Sequence, residues 1–274
     1  MDRHVRDAAL RARDAVERGI VVEVQEARGS VPRGVGTRML VLADACCGTI
    51  GGGHLELEAI ATARAMLAAG ETGSRSEHFP LGPALGQCCG GAVTLGYTAL
   101  DDAMLARWPE PAPRFHLQLY GAGHVGRAIA TLLATLDAAV EWIDEREDEF
   151  PARTTLGTAW PAHIRRVCVD AVEGEVRCAP PGAFYLVLTH DHDLDLRITE
   201  AILRRGDFGY LGLIGSRTKR QRFLHRFEQR GIAPQVLSRM TCPIGVEGIT
   251  GKEPEVLAVA IVAQLLRAAQ SGPR

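Results

Sequence analysis

Hydrophobic and polar positions alternate over Ile20–Ala27 and again over Thr37–Leu42, which predicts two strands. Between them, Arg28-Gly-Ser-Val-Pro-Arg33-Gly34 reads as a turn cluster with two arginines. Cys47–Ile50 leads into Gly51-Gly52-Gly53. The alanine-rich stretch from about His54 to Ala69 then predicts a helix, with Glu56 and Glu58 near its start and Gly70 as its stop. Ala92–Tyr97 reads as a further strand.

Beyond Trp108-Pro-Glu-Pro-Ala-Pro113 the pattern changes. Arg114–Tyr120, Ala138–Ile143, Ala183–Thr189 and Gly209–Ile214 read as strands, the last two apolar enough to be buried on both faces. Helices are predicted at about Val125–Leu136, Asp193–Arg205, Ser216–Arg230 and Pro254–Ala269. Strand–helix alternation of this kind predicts an α/β protein. Its C-terminal part should be a Rossmann-like doubly wound parallel sheet, preceded by a smaller α+β N-terminal domain. The expected divisions are residues 1–107, a stiff Pro-rich linker at 108–113, and residues 114–274.

Composition narrows the function classes. A net charge of −2 argues against nucleic acid as the main partner. No apolar run reaches the roughly 18 residues of a membrane helix, and the charged opening is unlike a signal peptide. A soluble, cytoplasmic protein with no membrane partner is expected. The seven cysteines are an odd number, which in that compartment speaks against a disulfide framework. Cys168, Cys178 and Cys46 read as buried, structural thiols.

Candidate chemistry is concentrated in four places. Gly121-Ala-Gly123-His-Val-Gly126 follows a predicted strand and opens a helix. Its glycines suit a tight turn, close approach of backbone to a phosphate, and close helix–strand packing. Asp144 follows the next strand, where an acid would meet a ribose hydroxyl, so NAD(P) or another nucleotide at this turn stays open. His190-Asp191-His192-Asp193-Leu-Asp195 follows the strand ending at Thr189. It offers the first ligands of a metallohydrolase, a helix cap at Asp191 or Asp193, or a polar wall above the sheet. The hydrolase pattern would need a further His where Leu196 stands. Gly215-Ser216-Arg217-Thr-Lys219-Arg220 combines a helix start with cationic side chains, an anion site. Cys88 and Cys89 lie in Leu85-Gly-Gln-Cys-Cys-Gly-Gly91, whose glycines leave a thiol reachable and suited to a soft metal centre. No complete catalytic constellation is present, so no catalytic residue is assigned.

Several motifs occur together in a fixed order: Gly29-Ser-Val-Pro-Arg33, Gly48-Thr-Ile-Gly-Gly-Gly-His54-Leu-Glu56, the Cys88–Cys89 turn, the glycine fingerprint, Thr189-His-Asp-His192, Gly212-Leu-Ile-Gly-Ser-Arg217-Thr-Lys219-Arg and Cys242-Pro-Ile-Gly245. Over about residues 25–267 the chain resembles the xanthine dehydrogenase accessory proteins, the XdhC/CoxI-like family. The resemblance implies a chaperone that binds the molybdenum cofactor, holds it while a terminal oxo ligand is exchanged for sulfur, and delivers it to apo-xanthine dehydrogenase. A cysteine desulfurase is the implied sulfur source, and a homodimer is compatible with the reading. Cys88 and Cys89 fall on the family's cysteine turn and become candidate ligands of the cofactor's molybdenum. The cofactor-binding candidates also include Arg33, Gly52, Gly53, Gly121, Gly123, Gly126, Asp144, His190, Asp191, His192, Ser216, Arg217 and Lys219. The alternatives are an NAD(P)-dependent oxidoreductase and a metal-dependent hydrolase.

Overall fold

The alternation over Ile20–Ala27 does form a strand, and it lies at the centre of its sheet. The computed structural model describes residues 3–81 and 90–271, in two units, Met1–Ala112 and Pro113–Arg274. In the first unit the chain runs α1 (Arg3–Asp14), β1 (Gly19–Arg28), β2 (Arg38–Leu42), β3 (Cys46–Gly48), α2 (Gly53–Ala69), β4 (Ser74–Pro80), β5 (Ala92–Ala99) and α3 (Asp102–Arg107). The strands form an antiparallel sheet in the order β3-β2-β1-β5-β4. Ile20, Val22 and Val24 face Leu55, Ala59, Ala63 and Met66 of α2. Val21 and Leu40 face the other way, onto Val5 and Ala9 of α1, Met104 and Leu105 of α3, and Trp108. The first half of β1 is therefore covered on both faces.

α1 leaves the helical path at Val16, which has φ +56° and is 90% exposed. A β-branched side chain in the left-handed region costs about 1 kcal/mol or more, and this one gains no burial in return. Val16→Gly should raise stability by about 1 kcal/mol, read as a higher urea midpoint at unchanged m. A lower midpoint would show that the position carries no strain.

The second unit contains β6 (His116–Tyr120), α4 (His124–Leu133), β7 (Ala139–Asp144), β8 (Ile164–Cys168), β9 (Phe184–Val187), α5 (His192–Arg205), β10 (Tyr210–Leu213), α6 (Arg217–Gln229), α7 (Pro234–Leu237), β11 (Met240–Thr241) and α8 (Pro254–Ser271). Short 3₁₀ turns lie at Glu147–Glu149 and Val172–Cys178. The six strands are parallel, in the order β11-β10-β9-β6-β7-β8. Strand order reverses between β6 and β9, so the crevice above their carboxyl ends is the place where doubly wound sheets take ligands. Leu117 and Leu119 of β6 pack under Ile129 and Leu133 of α4 and Ile261 and Leu265 of α8. Tyr120 and Tyr185 lie on the opposite face, in one core with Ile198 and Ile202 of α5 and Phe223 and Phe227 of α6. This is the Rossmann-like architecture expected for residues 114–274.

The cysteine expectation is corrected here. Cys46, Cys168 and Cys178 are exposed, and among the described thiols the buried one is Cys242. Cys46 lies on β3 and Cys168 ends β8, both edge strands, while Cys178 ends a 3₁₀ turn whose buried residues are Val172 and Val176. At a sheet edge one flank has no neighbouring strand, and a thiol there stays in water. No helix among the described residues is long and apolar enough to cross a membrane.

Candidate functional site

The fingerprint turn joins β6 to α4 above the switch point. Gly121 has φ +117°, and a Cβ there would strike the carbonyl of Leu188. A Cβ on Gly126 would strike the carbonyl of Gly121, so the third glycine lets the helix sit against its own turn. Gly123 differs: a Cβ there would meet nothing within 4 Å. It is also the N-cap of α4, with no side-chain cap bond. With open space at its N-cap and no side chain there to cap it, the start of α4 has the form of a helix N-terminus that suits a phosphate.

Asp144, at the end of β7, is turned inward. One oxygen, Oδ2, accepts the Ala122 amide at 2.7 Å and Arg146 Nη2 at 2.9 Å. The other, Oδ1, accepts the Arg146 amide at 3.0 Å and Arg146 Nε at 2.9 Å. Burial alone would raise this carboxyl's pKa. The bonds from Arg146 and from the Ala122 amide outweigh it and hold the group below the ordinary aspartate value. Arg146 also reaches Glu149 at 3.3 Å.

The His–Asp run does not converge on one point. His190 is exposed on the rim, its Nε2 3.7 Å from Glu145. Asp191 caps α5 by accepting the Asp193 amide at 2.7 Å, and that bond holds its carboxyl below the usual range. His192 is the exposed first residue of α5. Asp195 is fully buried, and its Oδ1 accepts both the amide (3.0 Å) and the hydroxyl (2.7 Å) of Thr189. Among the described residues no group of three or more His, Cys, Asp or Glu is placed to hold a metal ion.

Lys219 needs correction as an anion ligand. Its side chain is 8% exposed, and Nζ donates to Asp195 Oδ2 at 2.5 Å and to the Ile214 carbonyl at 3.0 Å. Lys219 therefore ties the loop after β10 to Asp195 of α5, which in turn holds Thr189, and offers no free charge to a ligand. Ser216 caps its own helix by accepting the Lys219 amide at 3.1 Å. Arg217 is exposed at the first turn of α6.

In the first unit, the glycine-rich segments interlock at one end of the sheet. A Cβ on Gly29 (φ +70°) would lie 3.1 Å from Gly91 Cα, and one on Gly91 would strike the carbonyls of Arg28 and Ser30. A Cβ on Gly51 (φ +132°) would lie 2.5 Å from Pro32. The Leu81 amide donates to the Gly91 carbonyl at 2.8 Å, closing the base of the segment that carries the cysteine turn. Cys88 and Cys89 themselves lie outside the described residues. Glu56 Oε2 accepts the Thr49 hydroxyl, the Ile50 amide at 3.0 Å and the Gly52 amide at 3.1 Å. Gly52 thus points its amide at Glu56, while Gly53 and, in the Gly29–Arg33 motif, Arg33 are exposed.

Residues 117–265 match the sequence model of the XdhC Rossmann domain, and residues 12–79 match that of the XdhC and CoxI family. The chain belongs to the XdhC and CoxI family. A relative in Escherichia coli (strain K12), the uncharacterized protein YqeB, is 32% identical over 266 residues. That match covers 92% of this chain and 44% of the relative, so the chain spans less than half the length of that protein. A Bacillus halodurans crystal structure, described as a xanthine dehydrogenase, superposes with a TM-score of 0.77 at 17% identity. It covers 100% of this chain and 97% of its own, and shows the same fold. Within this XdhC-family chain, sequence reasoning missed Arg146 as the partner of Asp144, the burial of Asp195, and the anchoring role of Glu56. Two of these left a signal. Arg146 stands two residues from Asp144, and Asp195 is an acid set between Leu194 and Leu196.

Proposed function

We propose that this chain is an accessory protein of xanthine dehydrogenase maturation. More specifically, it holds the molybdenum cofactor while a terminal oxo ligand is exchanged for sulfur, then passes the cofactor to the apoenzyme. A cysteine desulfurase would supply the sulfur. The observation that carries this reading is the interlock of Gly29, Gly51 and Gly91, which fixes three family motifs around the base of the segment bearing Cys88 and Cys89. A thiolate there is a soft donor suited to molybdenum. Taken by itself, the second unit has at the start of α4 a glycine N-cap with open space at its Cβ position, of the kind that suits a phosphate. The bound cofactor would supply the sulfur-accepting metal centre. The chain's own part is to bind, orient and shield it.

The test uses Cys88→Ser and Cys89→Ser in the full chain, purified from cells that make the cofactor. Molybdenum is measured by mass spectrometry, and the pterin by fluorescence after oxidation. Wild type should carry both in equal amount, and one of the two variants should lose most of both. The exposed Cys46→Ser should retain its load. Full loading in both Cys88 and Cys89 variants, with undiminished activation of xanthine dehydrogenase, would remove the thiolate from the reading.

A further inference from the structure

A Rossmann turn of this sequence implies an adenine dinucleotide, and the residues present do not fit one. We infer that Arg146 closes the adenosine side of this domain, so that the fingerprint turn refuses NAD, NADP and related dinucleotides although its phosphate-facing backbone is intact. The inference stands on the second unit alone and does not depend on the cofactor reading.

The argument is a count of lone pairs. A carboxylate has about four acceptor sites, two on each oxygen. Among the described residues Asp144 accepts four donors, two on each oxygen: the Ala122 and Arg146 amides, and Nε and Nη2 of Arg146. A ribose binds such an acid by donating its hydroxyls to it, and here no acceptor site is left. The side chain is also 3% exposed, with the Arg146 guanidinium lying against it. Arg146 cannot serve the other nucleotide either. An arginine at this place would take a 2′-phosphate, but this one forks onto Asp144 and reaches Glu149. The acid that would select NAD and the cation that would select NADP neutralise each other. Gly123, by contrast, keeps open space above it. The domain has kept the phosphate half of a dinucleotide site and closed the nucleoside half.

The experiment titrates NAD⁺, NADP⁺ and ADP-ribose into the full chain by isothermal calorimetry. Wild type should give no saturable binding up to about 1 mM of any of the three. Arg146→Ala frees one lone pair on each oxygen of Asp144. It should gain NAD⁺ and ADP-ribose affinity of at least about tenfold, to a Kd below about 1 mM. NADP⁺ should gain least, because the uncovered carboxylate repels its 2′-phosphate. That split between two nucleotides is something a merely structural arginine would not produce. Arg146→Lys, which keeps a charge but cannot fork, should gain less in the same order, and it decides the matter alone if the alanine variant fails to fold. Two results overturn the inference: micromolar binding of NAD⁺ or NADP⁺ by wild type, or a folded Arg146 variant that gains no affinity for NAD⁺.

Discussion

Asp195→Ala is expected to cost about 3–5 kcal/mol, because it leaves the Lys219 ammonium buried without its counter-ion. Asp195 is fully buried and the Lys219 side chain 8% exposed, so water cannot take over the lost bond. The Thr189 amide and hydroxyl lose their acceptor at the same time. For a unit of this size the thermal midpoint should fall by about 10 °C or more. The double variant Asp195→Ala/Lys219→Met removes both charges and should recover much of the loss, since an apolar pair of similar volume often replaces a buried ion pair at little cost. A double variant as unstable as the sum of its two singles would mean that the pair is not coupled. The outcome also bears on the candidate site, because this pair joins the first turns of α5 and α6, next to His190 and Arg217.

Asp144→Ala should cost roughly 3 kcal/mol, the scale for stranding a buried amide at Ala122 and unpairing the partly exposed Arg146. Its pH dependence has a definite sign. The folded pKa lies below the unfolded value, so the stabilisation is fully present above about pH 4 and is lost as pH falls through the folded value. Chemical denaturation of wild type and Asp144→Asn should therefore show a stability gap that is constant near neutrality and narrows below about pH 4. A gap that stayed constant into acid would contradict the ionised carboxylate with four donors described above.

The parallel sheet was legible in the sequence because its inner strands are covered on both faces and read as unbroken apolar runs, as in Phe184–Val187 and Tyr210–Leu213. The strands that escaped notice lie at edges. β8 turns only Ile164 and Val167 inward from IRRVC, and β4 buries Phe79 alone from SRSEHFP. α1 escaped for a related reason: its buried stripe is Val5, Ala9 and Ala12, small side chains among many charges. The glycine fingerprint was legible because each glycine answers a local steric demand. The fate of Lys219 was not, since it depends on which residue a distant helix brings against it, and that of Asp144 only in part, through Arg146 two residues on. Lys219 looked like a free cation in its own helix turn, and only the fold places Asp195 beneath it.

The hydrogen bond from Leu81 to Gly91 extends the β4–β5 ladder by one step. Pro80 pairs with Ala92 in the ladder between β4 and β5, so the sheet itself holds the two ends of the intervening segment together. The glycines at the foot of that segment answer to backbone: a Cβ on Gly91 would strike the carbonyls of Arg28 and Ser30, and one on Gly29 would crowd Gly91. A side chain added at that foot is therefore felt by the ladder itself, where Pro80 and Ala92 close it.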